Sequence, residues 1–346
     1  MPPSRSKRLS TRRQLLACAV VGAASTAAYV VWSPGATVKD GRHDLGTNGI
    51  WMQHAWLGGD GWFTQYGKEA KKPLFRDPRR LAEAAALLRR HRIRDVFPHL
   101  CPAAASGAIA SHDPAQTERF LDAFEGFRVM PWVGGVLDVS ARPGDRAWRE
   151  GFARSIRALL DAHPRMAGIH VNIEPCPSGH APYLTLLDEL RAGLPKGKLL
   201  SVAAYPPTTI LHPFNDIHWD EAYFREVAQR VDQLAVMMYD TALANGKLYK
   251  DLFTRWTREV LDWAGTTPVL LGLPAYDDPG VGYHHADVEN VPNALAGAHA
   301  ALQAYPKLPA SYQGIALYSD WEMTEDEWGT LRAQFLRPEG PRGASS

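Results

Sequence analysis

An α/β fold, closed as a single (β/α)8 TIM barrel, is what this sequence predicts, and three observations predict it. Extended apolar segments alternate with amphipathic helical ones, which implies parallel strands joined by helical crossovers. There are eight such pairs in about 300 of the 346 residues, a length that suits the barrel. The rival, a doubly wound open sheet, usually carries a GxGxxG turn after its first strand. Here Gly58-Gly59-Asp60-Gly61 stands after that strand without the spacing that opens a nucleotide-binding helix.

The elements follow in order. Residues 48–57 are apolar and aromatic and form a first strand. Leu81, Ala84, Ala85, Leu87 and Leu88 recur at helical spacing and predict a helix over 77–91, with a strand over 93–100 behind it. A helix over 116–125 leads into a strand over 127–133, and a strongly amphipathic helix over 147–163 into a strand over 166–174. Helix 181–194, strand 199–204, helix 220–231 and strand 233–239 continue the alternation. Helix 252–264 and strand 268–273 follow, then helix 291–304, strand 314–319 and a closing helix over 324–335. The barrel so defined covers 36–338, and the Gly-, Pro- and Ser-containing stretch 339–346 reads as a frayed tail.

Residues 1–35 read as a separate leader. Arg5, Lys7 and Arg8 precede the pair Arg12-Arg13, and an uncharged, mainly apolar run occupies 15–32. A twin arginine ahead of such a run resembles a Tat export signal; the alternative is a signal anchor whose arginines are positive-inside flanks. Either way the expected location is the periplasm, the cell surface or the medium, with membrane contact only through this segment. A formal net charge of +1 and no basic face past the leader argue against nucleic acid as a partner. Cys101 and Cys176 each follow a predicted strand and would lie near one rim, where a disulfide is possible in an oxidising compartment. No CxxC, no clustered His/Cys pattern and no ligand spacing among His180, His284 and His285 supports a metal, and no cofactor signature is present.

The stretch Met166-Ala-Gly-Ile-His-Val-Asn-Ile-Glu-Pro175 carries the strongest chemical signal. Strand side chains alternate, so His170, Asn172 and Glu174 share one face while Ile169, Val171 and Ile173 share the other. A carboxylate ending a buried strand is costly unless it is paired or used, so Glu174 is either a working acid or an ion-paired rim residue. In a barrel the active site lies at the C-terminal strand ends, where Glu174 falls. The other strand ends offer Gln53, His54, Trp56 and Trp62; His99; Trp132 and Asp138; Tyr205; Met237, Tyr239 and Asp240; Tyr276, Asp277 and Asp278; and Tyr318 and Trp321. The chain holds 11 Trp and 12 Tyr, which either fill the core or provide flat platforms for sugar rings. Aromatics and carboxylates on one rim, with no cofactor signature, describe a cleft for an oligo- or polysaccharide.

Four segments resemble glycoside hydrolase family 18, the chitinase-like barrels. Gly168-Ile-His-Val-Asn-Ile-Glu174 is similar to that family's strand-four motif, Asp-Gly-x-Asp-x-Asp-x-Glu. Met237-Met-Tyr-Asp240 matches its strand-six Met-x-Tyr-Asp, and Leu271-Gly-Leu-Pro-Ala-Tyr276 resembles its strand-seven Leu-Gly-x-Pro-x-Tyr. The stretch 314–319 resembles its last strand, with Tyr318 where tryptophan is usual. The motif's aspartates correspond to Ala167, His170 and Asn172, and the resulting Asn-x-Glu is also similar to family 85, the endo-β-N-acetylglucosaminidases. The resemblance implies a retaining, substrate-assisted glycosidase in which Glu174 is the general acid and base, and Asn172 orients the substrate's acetamido group. It further implies that Tyr239 binds the acetamido carbonyl, that Asp240 holds a sugar hydroxyl or tunes Glu174, and that Tyr318 or Trp321 floors the subsite. His170, Trp56, Trp132, Tyr205, Met237 and Tyr276 complete the expected substrate-binding set. Two other readings remain open: a two-carboxylate glycosidase using Asp138, Asp240 or Asp277 as nucleophile, and a chitinase-like lectin that binds glycan without cleaving it.

Overall fold

The computed structural model describes residues 29–59, 61–210 and 212–338. The expected leader lies largely outside the described residues, as does the expected tail. The described residues from Gly35 onward form one compact unit. No helix among the described residues is long and apolar enough to cross a membrane.

Among the described residues nine parallel strands form the sheet: β1 (Asn48–Met52), β2 (Ile93–Pro98), β3 (Arg128–Val129), β4 (Trp132–Val136), β5 (Gly168–Glu174), β6 (Leu199–Ala204), β7 (Gln233–Met237), β8 (Val269–Pro274) and β9 (Tyr312–Tyr318). Their spatial order is β3-β2-β1-β9-β8-β7-β6-β5-β4. β3 and β4 are two pieces of one stave, broken at Pro131, which has no N–H to give the ladder. Met130 N donates to Val96 O at 3.0 Å and Leu100 N to Trp132 O at 2.7 Å, which ties this stave to β2. On its other side Ala167 N donates to Val129 O at 2.8 Å and His170 N to Pro131 O at 2.9 Å, tying it to β5. Eight staves therefore close on themselves, as the sequence pattern predicts.

Side-chain caps set where the helices begin. Asp113 accepts from Ala115 N and Gln116 N, so the second long helix starts at Pro114 rather than at 116. Asn245 accepts from Lys247 N and Leu248 N, and the helix expected over 252–264 runs Gly246–Trp263. The first strand stops at Met52, well short of 57, and short helices Gly61–Gln65 and Glu69–Phe75 occupy the segment behind it. Those two are the elements that the hydrophobic spacing does not reveal.

The apolar side chains divide into two cores. The larger lies between the sheet and the helices. The smaller fills the barrel and holds Trp51, Phe97, Met130, Trp132, Ala235, Leu270 and Ala316. Burial on both faces is what makes most of the strands read as nearly continuous apolar runs. At the N-terminal end of the barrel, buried Asp95 is gripped by Arg128 at 2.7 Å and Arg94 at 2.9 Å. It also accepts from Gln233 Nε2 at 2.6 Å and Gln313 Nε2 at 2.9 Å, so every inward-facing polar group there has a partner.

Gly134 allows the third stave to reach the fourth. Its φ is +134°, and a Cβ there would lie 1.9 Å from the backbone oxygen of Asn172. Both the conformation and the approach exclude a side chain. Gly134→Ala is expected to cost at least about 2 kcal/mol of stability. Gly193→Ala, at a helical position with open space around it, is expected to be neutral or stabilising. Chemical denaturation of both variants checks this, and equal losses would refute the role given to Gly134.

Candidate active site

β5 delivers Asn172 and Glu174 to the C-terminal rim, where Trp51, Trp132, Met237, Tyr239, Asp240 and Tyr318 join them around a pocket of about 70 Å³. Seven of the residues expected at the site, Glu174, Asn172, Tyr239, Asp240, Trp132, Met237 and Tyr318, thus meet at one place. Tyr239 and Tyr318 stack at 5.5 Å and 18°, and Trp51 and Trp132 stand edge-on to Tyr318 at 5.9 and 6.2 Å. These rings make a rigid, apolar wall around the two polar groups.

Asn172 Nδ2 donates to Glu174 Oε1 at 2.5 Å. Its Oδ1 is buried and has no hydrogen-bond partner. An unsatisfied buried acceptor costs about 1–3 kcal/mol, a penalty that a ligand N–H in the pocket would remove. Burial raises the Glu174 pKa; hydrogen bonds from Asn172 and Tyr205 pull it back, and the Asp240 carboxylate pushes it further up. The net direction is upward, so Glu174 keeps its proton above the usual carboxyl range. No lysine or arginine pairs with Glu174 among the described residues.

The remaining expected residues are placed differently. His170 is fully buried beneath the pocket, not in it. The Trp51 indole donates to His170 Nε2 at 3.0 Å, and an indole can only donate, so Nδ1 carries the ring hydrogen and gives it to Ser201 Oγ at 2.8 Å. Ser201 passes a hydrogen bond to Gln233 Oε1 at 2.7 Å, and Gln233 reaches Asp95. His170 therefore orients Trp51 and has no nitrogen left for a substrate. Tyr205 lies behind Glu174, and Tyr276 behind Asp240, to which its hydroxyl donates. Trp56 and Trp321 line a neighbouring cleft of about 1110 Å³ that meets the small pocket at Tyr318. Trp62 borders the same cleft, stacked on His54 at 4.8 Å and 8°. Asp320 is anchored there by Gln53 N at 2.8 Å and Trp56 Nε1 at 3.1 Å, and burial pushes its pKa up to about 7.

Of the proposed second carboxylates, only Asp240 lines the pocket. Asp138 and Asp277 are exposed and outside it. Cys101 and Cys176 are free thiols, so the disulfide considered for them is not formed. Burial drives the Cys176 thiol up to about 12, which leaves it inert. Sequence reasoning missed Trp51, although it alternates with Gln53 on the inward face of the first strand. It also missed Glu289, which lies 1 % exposed between strand and helix and carries no local signal.

No protein-family model matches the sequence, and no curated protein does. Solved structures do match its fold. The spore cortex-lytic enzyme SleL of Bacillus cereus aligns with a TM-score of 0.52 at 13% identity, over 84% of this chain and 75% of that one. A chitinase from Chromobacterium violaceum aligns at 0.52 and 17% identity, over 82% and 98%. A GH18 chitinase from Pseudoalteromonas aurantia aligns at 0.51 and 17%, over 82% and 97%. At these identities the likeness is one of fold, and the fold is a chitinase-like barrel.

The network under the pocket has a consequence for acid stability. Burial lowers the His170 pKa from 6.5 to about 3. Between those values the unfolded chain binds a proton that the folded chain does not, so stability falls as pH drops from about 6.5 toward about 3. His170 alone contributes a slope approaching about 1.4 kcal/mol per pH unit in that window. His170→Gln, which can still accept from Trp51 and donate to Ser201, is expected to have a shallower slope than wild type. Urea denaturation at a series of pH values from 4 to 7 compares the two, and identical slopes would contradict the assignment.

Proposed function

We propose that this chain is a glycoside hydrolase that cleaves β-linked glycans containing N-acetylhexosamine, with retention, through substrate assistance. One observation carries the reading: Glu174, a carboxyl whose pKa burial raises, shares the pocket with Asn172, whose buried Oδ1 is an acceptor with no donor. The chitinase-like fold and the order of motifs along β5, β7, β8 and β9 support it.

In the first step Glu174 gives its proton to the glycosidic oxygen as the bond to C1 breaks. The substrate's own acetamido oxygen attacks C1, forming an oxazolinium ion, and the leaving sugar departs as an alcohol. Asn172 Oδ1 accepts the acetamide N–H, which turns the carbonyl oxygen toward C1. The Tyr239 hydroxyl, on the facing wall, donates to that oxygen. In the second step the Glu174 carboxylate removes a proton from water as the water attacks C1, and the ring opens with overall retention. Asp240 holds a sugar hydroxyl and, as an anion, helps keep Glu174 protonated until it acts. The large cleft beside Tyr318 continues the glycan path, with Trp62 and Trp321 as stacking platforms. Arg12-Arg13 ahead of the apolar run 15–32 supports export, so the glycan would be met outside the cytoplasm.

Glu174→Gln is expected to reduce turnover about 10²–10⁴-fold on the cleaved substrate while binding persists. The assay compares chitin oligomers, peptidoglycan fragments and neutral glucans. Full activity in the variant would refute Glu174 as the acid. A wild-type protein that binds but cleaves none of them would favour the lectin reading. Inhibition by a thiazoline analogue is expected; cleavage of neutral glucans with no such inhibition would point instead to Asp240 as a nucleophile. The alkaline limb of kcat/KM is expected above the ordinary carboxyl range, following the raised pKa of Glu174.

A further inference from the structure

Behind Asp240 lies a group that the reaction above does not use. His284 has a side chain 1% exposed, and its Nε2 is 3.1 Å from the backbone oxygen of Tyr276. A carbonyl only accepts, so Nε2 carries a hydrogen. Nδ1 then faces two carboxylates, Asp240 Oδ1 at 3.3 Å and Glu289 Oε2 at 3.9 Å, and makes no well-formed hydrogen bond. A neutral ring would turn a bare lone pair on both anions. We propose that His284 is an imidazolium, an internal counter-ion that positions Asp240 in the pocket wall. The inference rests on the glycosidase reading only for its effect on activity.

The surroundings fit a held cation. Glu289 is fully enclosed and accepts from Thr241 N with both oxygens at 3.1 Å, which clamps the backbone next to Asp240. Asp240 itself has φ +60°, a left-handed conformation that needs such support. Tyr276 stacks on the His284 ring at 4.1 Å and 18° while its hydroxyl donates to Asp240. The other titratable groups facing this cluster are Tyr239, Tyr249, Tyr283, Tyr318 and Glu174. Burial opposes charge on His284, but Asp240 and Glu289 outweigh it and raise its pKa. Burial pushes the Glu289 pKa up, while the Thr241 N–H and a charge on His284 draw it down and favour its carboxylate. A carboxylate oxygen of Asp240, one of Glu289 and a ring nitrogen of His284 all lie within 4.8 Å of one another, with Tyr276 Oη and Thr241 N already donating to the carboxylates. A proton on Nδ1 completes that pattern.

Nitrogen NMR of the full chain, in chelator, reads the ring directly, with His284→Gln assigning its signals. Both ring nitrogens are expected to be protonated at pH 7, with a midpoint above the ordinary 6.5. Glu289→Gln is expected to lower that midpoint by about one unit or more. A neutral Nε2–H tautomer at pH 7 would overturn the proposal. So would added Zn²⁺ displacing the Nδ1 proton at stoichiometric concentration, since Nδ1 would then be a metal ligand. These readouts need no activity, so they fail independently of the glycosidase reading. In the active enzyme His284→Gln, which removes the counter-charge beside Asp240, is expected to lower kcat/KM about tenfold and to reshape its pH profile. An unchanged profile would overturn the link to Asp240.

Discussion

A single directed run of hydrogen bonds descends the barrel axis, and the pocket stands on it. Trp51 donates to His170, His170 to Ser201, Ser201 to Gln233, and Gln233 to Asp95, whose charge is met by Arg94 and Arg128. The Trp51 indole N–H gives to His170 Nε2 and the His170 ring N–H to Ser201 Oγ, so the tautomer of His170 and the rotamer of Trp51 are fixed together. Only at the N-terminal end, where two arginines are at hand, does a full charge enter this run. The floor under Asn172 and Glu174 is therefore uncharged.

That neutrality shapes the electrostatics above it. In the family motif that the sequence resembles, acids precede the glutamate on the same strand face. Here His170 and Asn172 occupy those positions, and neither adds negative charge beneath Glu174. The rise in the Glu174 pKa comes from burial first and from Asp240 across the pocket second, while Asn172 works in the opposite sense through its N–H. One carboxylate on one side, a neutral amide on the other and aromatic walls between them give a site with a proton to lend and an acceptor to fill.

The pieces legible from sequence are those whose signal is local. The eight-fold alternation of strand and helix is written in spacing, and parallel strands buried on both faces produce apolar runs that mark themselves. The polar alternation in β5 exposed Asn172 and Glu174 because two-residue periodicity puts both on the inward face. The cap residues Asp113 and Asn245 could have corrected two helix starts, since capping is also a local pattern. The break at Pro131 was equally visible in principle, because a residue without an N–H must interrupt a ladder.

What the sequence determined by itself is the barrel, the rim on which chemistry must lie, and the strand that carries Glu174. Tertiary structure alone decided which rim residues meet: Trp51 and Asp240 come to the pocket, Asp138 and Asp277 turn away, His170 goes beneath it, and Cys101 and Cys176 stay apart. It also brought Glu289 and His284 from the loop after β8 to the back of Asp240. The reason is physical. Periodicity fixes the face a side chain points from, but long-range approach depends on how neighbouring staves and loops pack, and no local pattern encodes that distance.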